Sequence, residues 1–199
     1  MNAVLDVHYG PDIARAACVA FCRWSDPAPR AVFAAQVHTV ADYRPGAFYE
    51  RELPCLMEVL ASAAIPFRCL VVDGYVHLRP PAGKGMGRHL WERLGRRCRV
   101  IGVAKSPFPA ADRFLAVHRG RSRRPLFVSA AGMATGAAAS RIEGMHGPHR
   151  IPTLIRLADR IARGAPVSGE AAPVLSRPGR PRRDGAPGRR TRRGAAPPW

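Results

Sequence analysis

The chain has 199 residues, an apolar content of 47%, and 32 Lys and Arg against 14 Asp and Glu, a formal net charge of +18. That length allows one domain with a real core. No apolar run is long enough to span a bilayer, and Met1 to Asp6 lacks the basic start and apolar stretch of a secretory signal, so the expectation is a cytoplasmic protein without a membrane partner. A cation surplus of this size points to a polyanion, because each neutralised phosphate releases condensed counterions. The competing reading is coding bias toward arginine: Lys84 and Lys105 are the only lysines.

Taken in chain order, Val4 to His8 reads as a strand and Ala16 to Trp24 as a second, with Tyr9-Gly10-Pro11-Asp12 turning between them. Ala31 to Val40 is a third, and short connections make the three an antiparallel meander. Gly46 to Ser62 then sets Phe48, Leu53, Leu56, Met57, Leu60 and Ala61 at helical spacing. Cys69 to Val72 is wholly apolar and ends in Asp73-Gly74, the pattern of a buried parallel strand. Gly87 to Arg96 is a helix, Val100 to Ala104 another buried strand, and Phe114 to His118 and Leu126 to Ala130 are strands near the end of the sheet. Thr135 to Met145 and Pro152 to Arg163 are helices, the second opened by proline. A meander followed by alternating helix and strand describes an α/β mixed sheet with helices packed on it, a pattern that several folds share.

Beyond Gly164 eight arginines stand against Glu170 and Asp184, a surplus of +6, which leaves +12 on residues 1–164. Residues 165–199 are Pro-, Gly-, Ala- and Arg-rich with almost no large apolar residues, so a disordered basic tail is expected after a single 1–164 domain. Five cysteines form an odd set; Cys18 and Cys22 lie in an apolar stretch and are expected to be buried thiols, with no second pair to complete a zinc site.

Acids are scarce, so their positions carry information. Asp6 interrupts the first strand, Asp73 ends the fourth, and Glu52 lies on the helix between them. Strand-end carboxylates from neighbouring strands converge at one rim of a sheet, where open α/β sheets place ligands. Three carboxylates brought together call for a cation, and oxygen donors of this kind suit Mg²⁺. Against this stand plain readings: an Asp before Gly is commonly a turn residue, and a Glu on a helix is usually solvated.

The surrounding residues narrow the choice. Asp42-Tyr43-Arg44-Pro45-Gly46-Ala47-Phe48-Tyr49-Glu50-Arg51-Glu52-Leu53-Pro54 resembles the Tyr-x-Pro-Gly…Phe/Tyr-x-x-Arg-Glu-x-Pro signature of the endonuclease V family. Other family blocks follow in order: Leu5-Asp6-Val7, Val71-Val72-Asp73-Gly74, Ile101-Gly102-Val103-Ala104-Lys105, Arg124 to Val128, and His149-Arg150-Ile151-Pro152 with Asp159 beyond. The resemblance covers residues 4–164 and marks a divergent bacterial-type member.

The resemblance implies a ribonuclease-H-like mixed sheet flanked by helices. It implies a monomer that nicks DNA on the 3′ side of deoxyinosine or a similar deaminated base in DNA repair, leaving 5′-phosphate and 3′-hydroxyl ends; inosine-containing RNA is the other substrate the family admits. Asp6, Glu52 and Asp73 match the metal carboxylates, with Mg²⁺ as cofactor and Mn²⁺ able to substitute. Lys105 matches a lysine beside the scissile phosphate, and Tyr43 the aromatic wedge that fills the gap left by an extruded base. Pro45, Gly46, Gly74, Gly85, Gly102 and Ala104 match a base pocket built largely of backbone. Arg150 is either a phosphate contact or one more surface arginine.

The match also departs from the family. Arg79 or Pro80 falls where a histidine is expected after Asp73-Gly74, and His77 points to the other face if its strand continues. The helix after Leu126–Ala130 lacks an expected acid or histidine, and no helix precedes the first strand. His89 aligns with a family histidine, either supporting the site or lying on the helix surface. These departures motivate the alternative of a lesion-binding homologue with impaired cleavage.

Overall fold

The computed structural model describes residues 1–10, 13–38 and 48–166. Tyr43, Pro45 and Gly46, the Pro11-Asp12 turn, Val40 and nearly all of the expected tail lie outside the described residues. Three strands open the fold: β1 (Asn2–Tyr9), β2 (Ala14–Phe21) and β3 (Ala31–Val37). They pair antiparallel in the expected meander, Val4 opposite Val19 and Cys18 opposite Phe33. Helix α1 (Phe48–Ala63) leads to β4 (Cys69–Asp73), which pairs parallel to β1. There follow β5 (His77–Leu78), α2 (Met86–Arg93), β6 (Arg99–Ala104), β7 (Ala111–Asp112), β8 (Phe114–Val117) and β9 (Leu126–Ala131). Helices α3 (Thr135–Glu143) and α4 (Thr153–Ala162) close the described chain.

Seven strands form one mixed sheet in the order β3-β2-β1-β4-β6-β9-β8, and β5 pairs with β7 in a separate two-stranded piece. Strand alternation sends successive side chains to opposite faces and so builds two cores. Leu5, Cys18, Phe33, Leu70, Val72 and Val100 pack under α1 and α2, through Leu56, Val59 and Leu90. Val4, Val19, Val71, Ile101 and Val128 pack under α3 and α4, through Ile142, Leu154 and Ile161. This three-layer arrangement is the ribonuclease-H-like mixed sheet with flanking helices.

Element ends depart from the sequence reading by one to three residues, as fraying ends do. The pair β5 and β7 was not expected, because two-residue strands carry no periodic signal. Pro152 stands just before α4 as its cap rather than within its first turn, with φ −54° and ψ 150°. One expectation fails outright: Cys18 is buried, and Cys22 is exposed in the turn after β2. No described helix is long and apolar enough to cross a membrane.

Candidate active site

The site grows out of the seam between the meander and the parallel strands. β1 and β4 run side by side in the same direction, with Val4 opposite Val71. Two residues further on, they have reached Asp6 and Asp73. β6 continues the parallel set with Val103 opposite Asp73, and Lys105 lies two residues beyond Val103. Alternation puts all three side chains on the α4 side, the face of Val4, Val71 and Val103. There the Lys105 ammonium donates to Asp73 Oδ2 at 2.7 Å.

Glu52 comes to the same rim from the opposite face. It sits one turn before Cys55 and Leu56 on α1, so the stripe that buries those side chains also buries Glu52, which is 5% exposed. Its Oε2 is enclosed and has no hydrogen-bond partner. Loss of hydration, followed by repulsion from Asp73 and Asp6, pushes its carboxyl up to about 8. Asp6 is raised to about 6, first by burial and then by Asp73; Lys105 opposes the rise, and Asp159 on α4 adds to it. For Lys105, burial works against the ammonium, but Asp73, Asp6 and Asp159 outweigh it and hold the lysine above its ordinary value.

Among the described residues, no group of three His, Cys, Asp or Glu is drawn tightly enough to cage a metal as it stands. The reason is the split between faces. Asp6 and Asp73 lean toward α4, with Lys105 bound to Asp73, while Glu52 approaches from α1. The donor chemistry nonetheless fits a hard divalent cation, with oxygens only and a buried carboxylate atom that nothing in the protein satisfies.

A cavity of about 460 Å³ opens beside the three carboxylates, a volume suited to a small planar ligand. Asp6, Glu52, Asp73, Gly74, Lys84 and Phe108 contribute to its wall. A smaller cleft on the α4 side is lined by Asp6, Asp73, Lys105 and Ile155. Gly74 and Gly85 do line the larger cavity, whereas Gly102 and Ala104 stand behind it. A Cβ on Gly102 would fall 2.5 Å from the Gly74 carbonyl oxygen and 3.0 Å from Ser129 Oγ. Ala104 is buried against Tyr75 and Ala111. Both small residues let the strand ends approach closely. Gly74 itself has φ +97°, the left-handed region that glycine favours after a strand.

Arg150 is more than a surface arginine. Its Nη2 donates to the Lys105 carbonyl and, at 2.7 Å, to the Pro125 carbonyl, so it clamps the backbone that carries Lys105. A second arginine holds the loop from which Arg150 extends. Arg119, 6% exposed, donates to the carbonyls of Glu143, Met145, Gly147, His149 and Arg150. Sequence reasoning missed it, since His118-Arg119-Gly120-Arg121-Ser122-Arg123-Arg124 gives one arginine no mark over the others. Four histidines can be placed against this site. His77 lies on β5 with Nε2 2.9 Å from the Ala130 carbonyl, not beside the carboxylates. Arg79 and Pro80 are exposed. His89 stacks on Tyr49 at 3.6 Å and 6°, and burial with nearby Lys84 lowers its pKa. His149 is exposed, and His146 is paired with Thr153.

No family model matches the sequence, and no curated protein matches it either. Solved structures do. Endonuclease V from Streptomyces avermitilis is 26% identical over 81% of this chain and 78% of its own, with a TM-score of 0.65. Human ENDOV is 22% identical over 81% and 82%, with a TM-score of 0.68. Ciona intestinalis endonuclease V, solved with a 24mer DNA containing an inosine followed by a ribo-adenosine, is 21% identical over 81% and 84%, with a TM-score of 0.67. With these sequence blocks in order along it, the chain has the fold of the endonuclease V structures and resembles them as a divergent relative.

Proposed function

We propose that the chain is a divalent-metal-dependent endonuclease that nicks DNA 3′ to deoxyinosine or a similar deaminated base. The observation that carries this reading is Glu52: a carboxylate with an enclosed, unpartnered oxygen, sharing one cavity with Asp6 and Asp73. Burying such a group costs stability, and a bound cation is the ordinary compensation. Asp6, Glu52 and Asp73 would hold the ion, Mg²⁺ or Mn²⁺, which when bound supplies Lewis-acid stabilisation of a scissile phosphate and a more acidic water. The chain's own residues do the rest. Lys105 is fixed through its carbonyl by Arg150 and keeps its ammonium charged, so it can offset the charge that develops on a phosphate in the transition state. Gly74 and Gly85 open the cavity wall so that a flat base can approach backbone atoms. Inosine in a neighbour's bound DNA supports the choice of lesion, and the basic surplus supports a nucleic-acid partner.

The test is nicking of a deoxyinosine duplex by the full chain with Mg²⁺, against Asp6→Ala and Asp73→Ala, with inosine-containing RNA in parallel. Cation-dependent nicking lost in both variants is expected. Binding without nicking would favour the second reading, a lesion-binding homologue. That reading draws on His77, which is committed to the Ala130 carbonyl and supplies no histidine to the carboxylates.

A further inference from the structure

Lysine is the rare cation here, and both lysines border the site. Lys105 lines the cleft on the α4 side, and Lys84 lines the larger cavity next to α1 and α2. Asp6 and Asp73 line both, so one lysine stands on each side of the carboxylates. Lys84 sits on a stiff wall. Its backbone bridges to His77, and the next residue's N–H donates to the Val76 carbonyl at 3.0 Å. A Cβ on Gly85 would fall 2.1 Å from the Tyr75 carbonyl oxygen, so this turn presses directly on the chain that follows Asp73-Gly74.

The ammonium of Lys84 donates to Glu92 Oε2 at 2.8 Å, and Arg88 holds the other oxygen of Glu92 at 2.9 Å. Glu92 would therefore remain paired if Lys84 turned to another anion. The Lys84 side chain is 48% exposed, and with one partner it retains two of its three donors. An ordinary surface ion pair has neither the rigid base nor a second cation to keep the acid paired. A compact ammonium on a flexible stem also suits a single phosphate oxygen better than a planar carboxylate fork.

We propose that Lys84 binds a phosphate of the nucleic-acid strand on the α1–α2 side of the carboxylates, so that with Lys105 it pins the strand on both sides of the reacting position. This rests on the nuclease reading above. The experiment measures equilibrium binding of inosine-containing and plain oligonucleotides by the full chain in EDTA, across a salt series, so that no cleavage intervenes. Lys84→Met keeps the stem and removes the charge; Lys84→Arg restores the charge. Arg30→Met is the control, since Arg30 precedes Ala31, which pairs with Ala20 at the Asn2 end of the sheet, the rim opposite Asp73.

Loss of one phosphate contact should lower affinity about 3- to 10-fold for both oligonucleotides and flatten the log–log salt slope by roughly 0.7–0.9. Lys84→Arg should recover most of that slope and Arg30→Met should leave it unchanged. An unchanged slope in Lys84→Met overturns the assignment, as does a loss confined to inosine, which would mean contact with a base oxygen instead. If the chain nicks inosine DNA and the slope does not move, only the Lys84 assignment falls. If the slope moves and nothing is nicked under Mg²⁺, the phosphate contact stands and the nuclease reading falls.

Discussion

In the proposed nuclease, Glu52 is the residue at which stability and chemistry oppose each other. Its carboxyl ordinarily loses a proton near 4.5, but in the folded protein burial holds that proton until about pH 8. Between those values the folded chain binds more protons than the unfolded one, so stability falls as pH rises and levels off above about 8. Without added cation, the Tm should therefore drop across this window, with Asp6 contributing between 3.8 and about 6. Glu52→Gln should flatten most of that slope and raise the neutral-pH Tm by roughly 5 °C, at 2–4 °C per kcal/mol for a domain of this size, while abolishing nicking. A thermal series in EDTA checks this, and a Tm lowered by the substitution would count against it. Lys105 behaves in the opposite way. Its ion pair with Asp73 is partly exposed on both sides, so Lys105→Ala should move stability by less than about 1 kcal/mol. Turnover should fall by about two orders of magnitude at unchanged fold, measured by single-turnover nicking. The sequence showed the carboxylate trio through strand ends and the family blocks. The burial of Glu52 was also legible, because Glu52, Leu56, Val59 and Ala63 share one helical stripe. The ordinary expectation that a helix glutamate is solvated hid that.

At the scale of elements, the long periodic segments announced themselves: the meander, α1, β4, β6 and α4 lie where apolar spacing puts them. What the sequence could not show was how loops are held. The stretch from Gly144 to Arg150 has no regular structure, and four of its carbonyls, those of Met145, Gly147, His149 and Arg150, are satisfied by Arg119 from just beyond β8. Close packing seals the arrangement, since a Cβ on Gly120 would fall 2.3 Å from the Pro148 carbonyl oxygen. Arg119→Met leaves several buried acceptors without donors, and at about 1–3 kcal/mol for each it should cost about 3 kcal/mol or more, readable as a shifted urea midpoint. Because Arg150 extends from that loop to the Lys105 carbonyl, the variant should also lose turnover before it loses its fold, as followed by nicking below the Tm. The signal that would have exposed Arg119 is long-range pairing, which no local pattern of arginines contains.

For the whole molecule, charge is divided between the folded part and the segment beyond Gly164. Deleting residues 165–199 removes eight arginines with two acids. It should weaken nonspecific DNA binding and flatten its salt dependence while cleavage persists. Complete loss of nicking would place that segment in the site.

The close approach of Gly102 to the Gly74 carbonyl carries the last consequence. Asp73 stands where it does partly because a neighbouring strand lacks one carbon atom. Residue 102 carries no charge, does not face the cavity, and in any survey of acidic positions would pass as unremarkable filling. Yet a single added methyl there has no space unless the end of β4 yields. Gly102→Ala is thus expected to silence the protein with every ionisable group intact, a failure of spacing that no inventory of reactive residues would foresee.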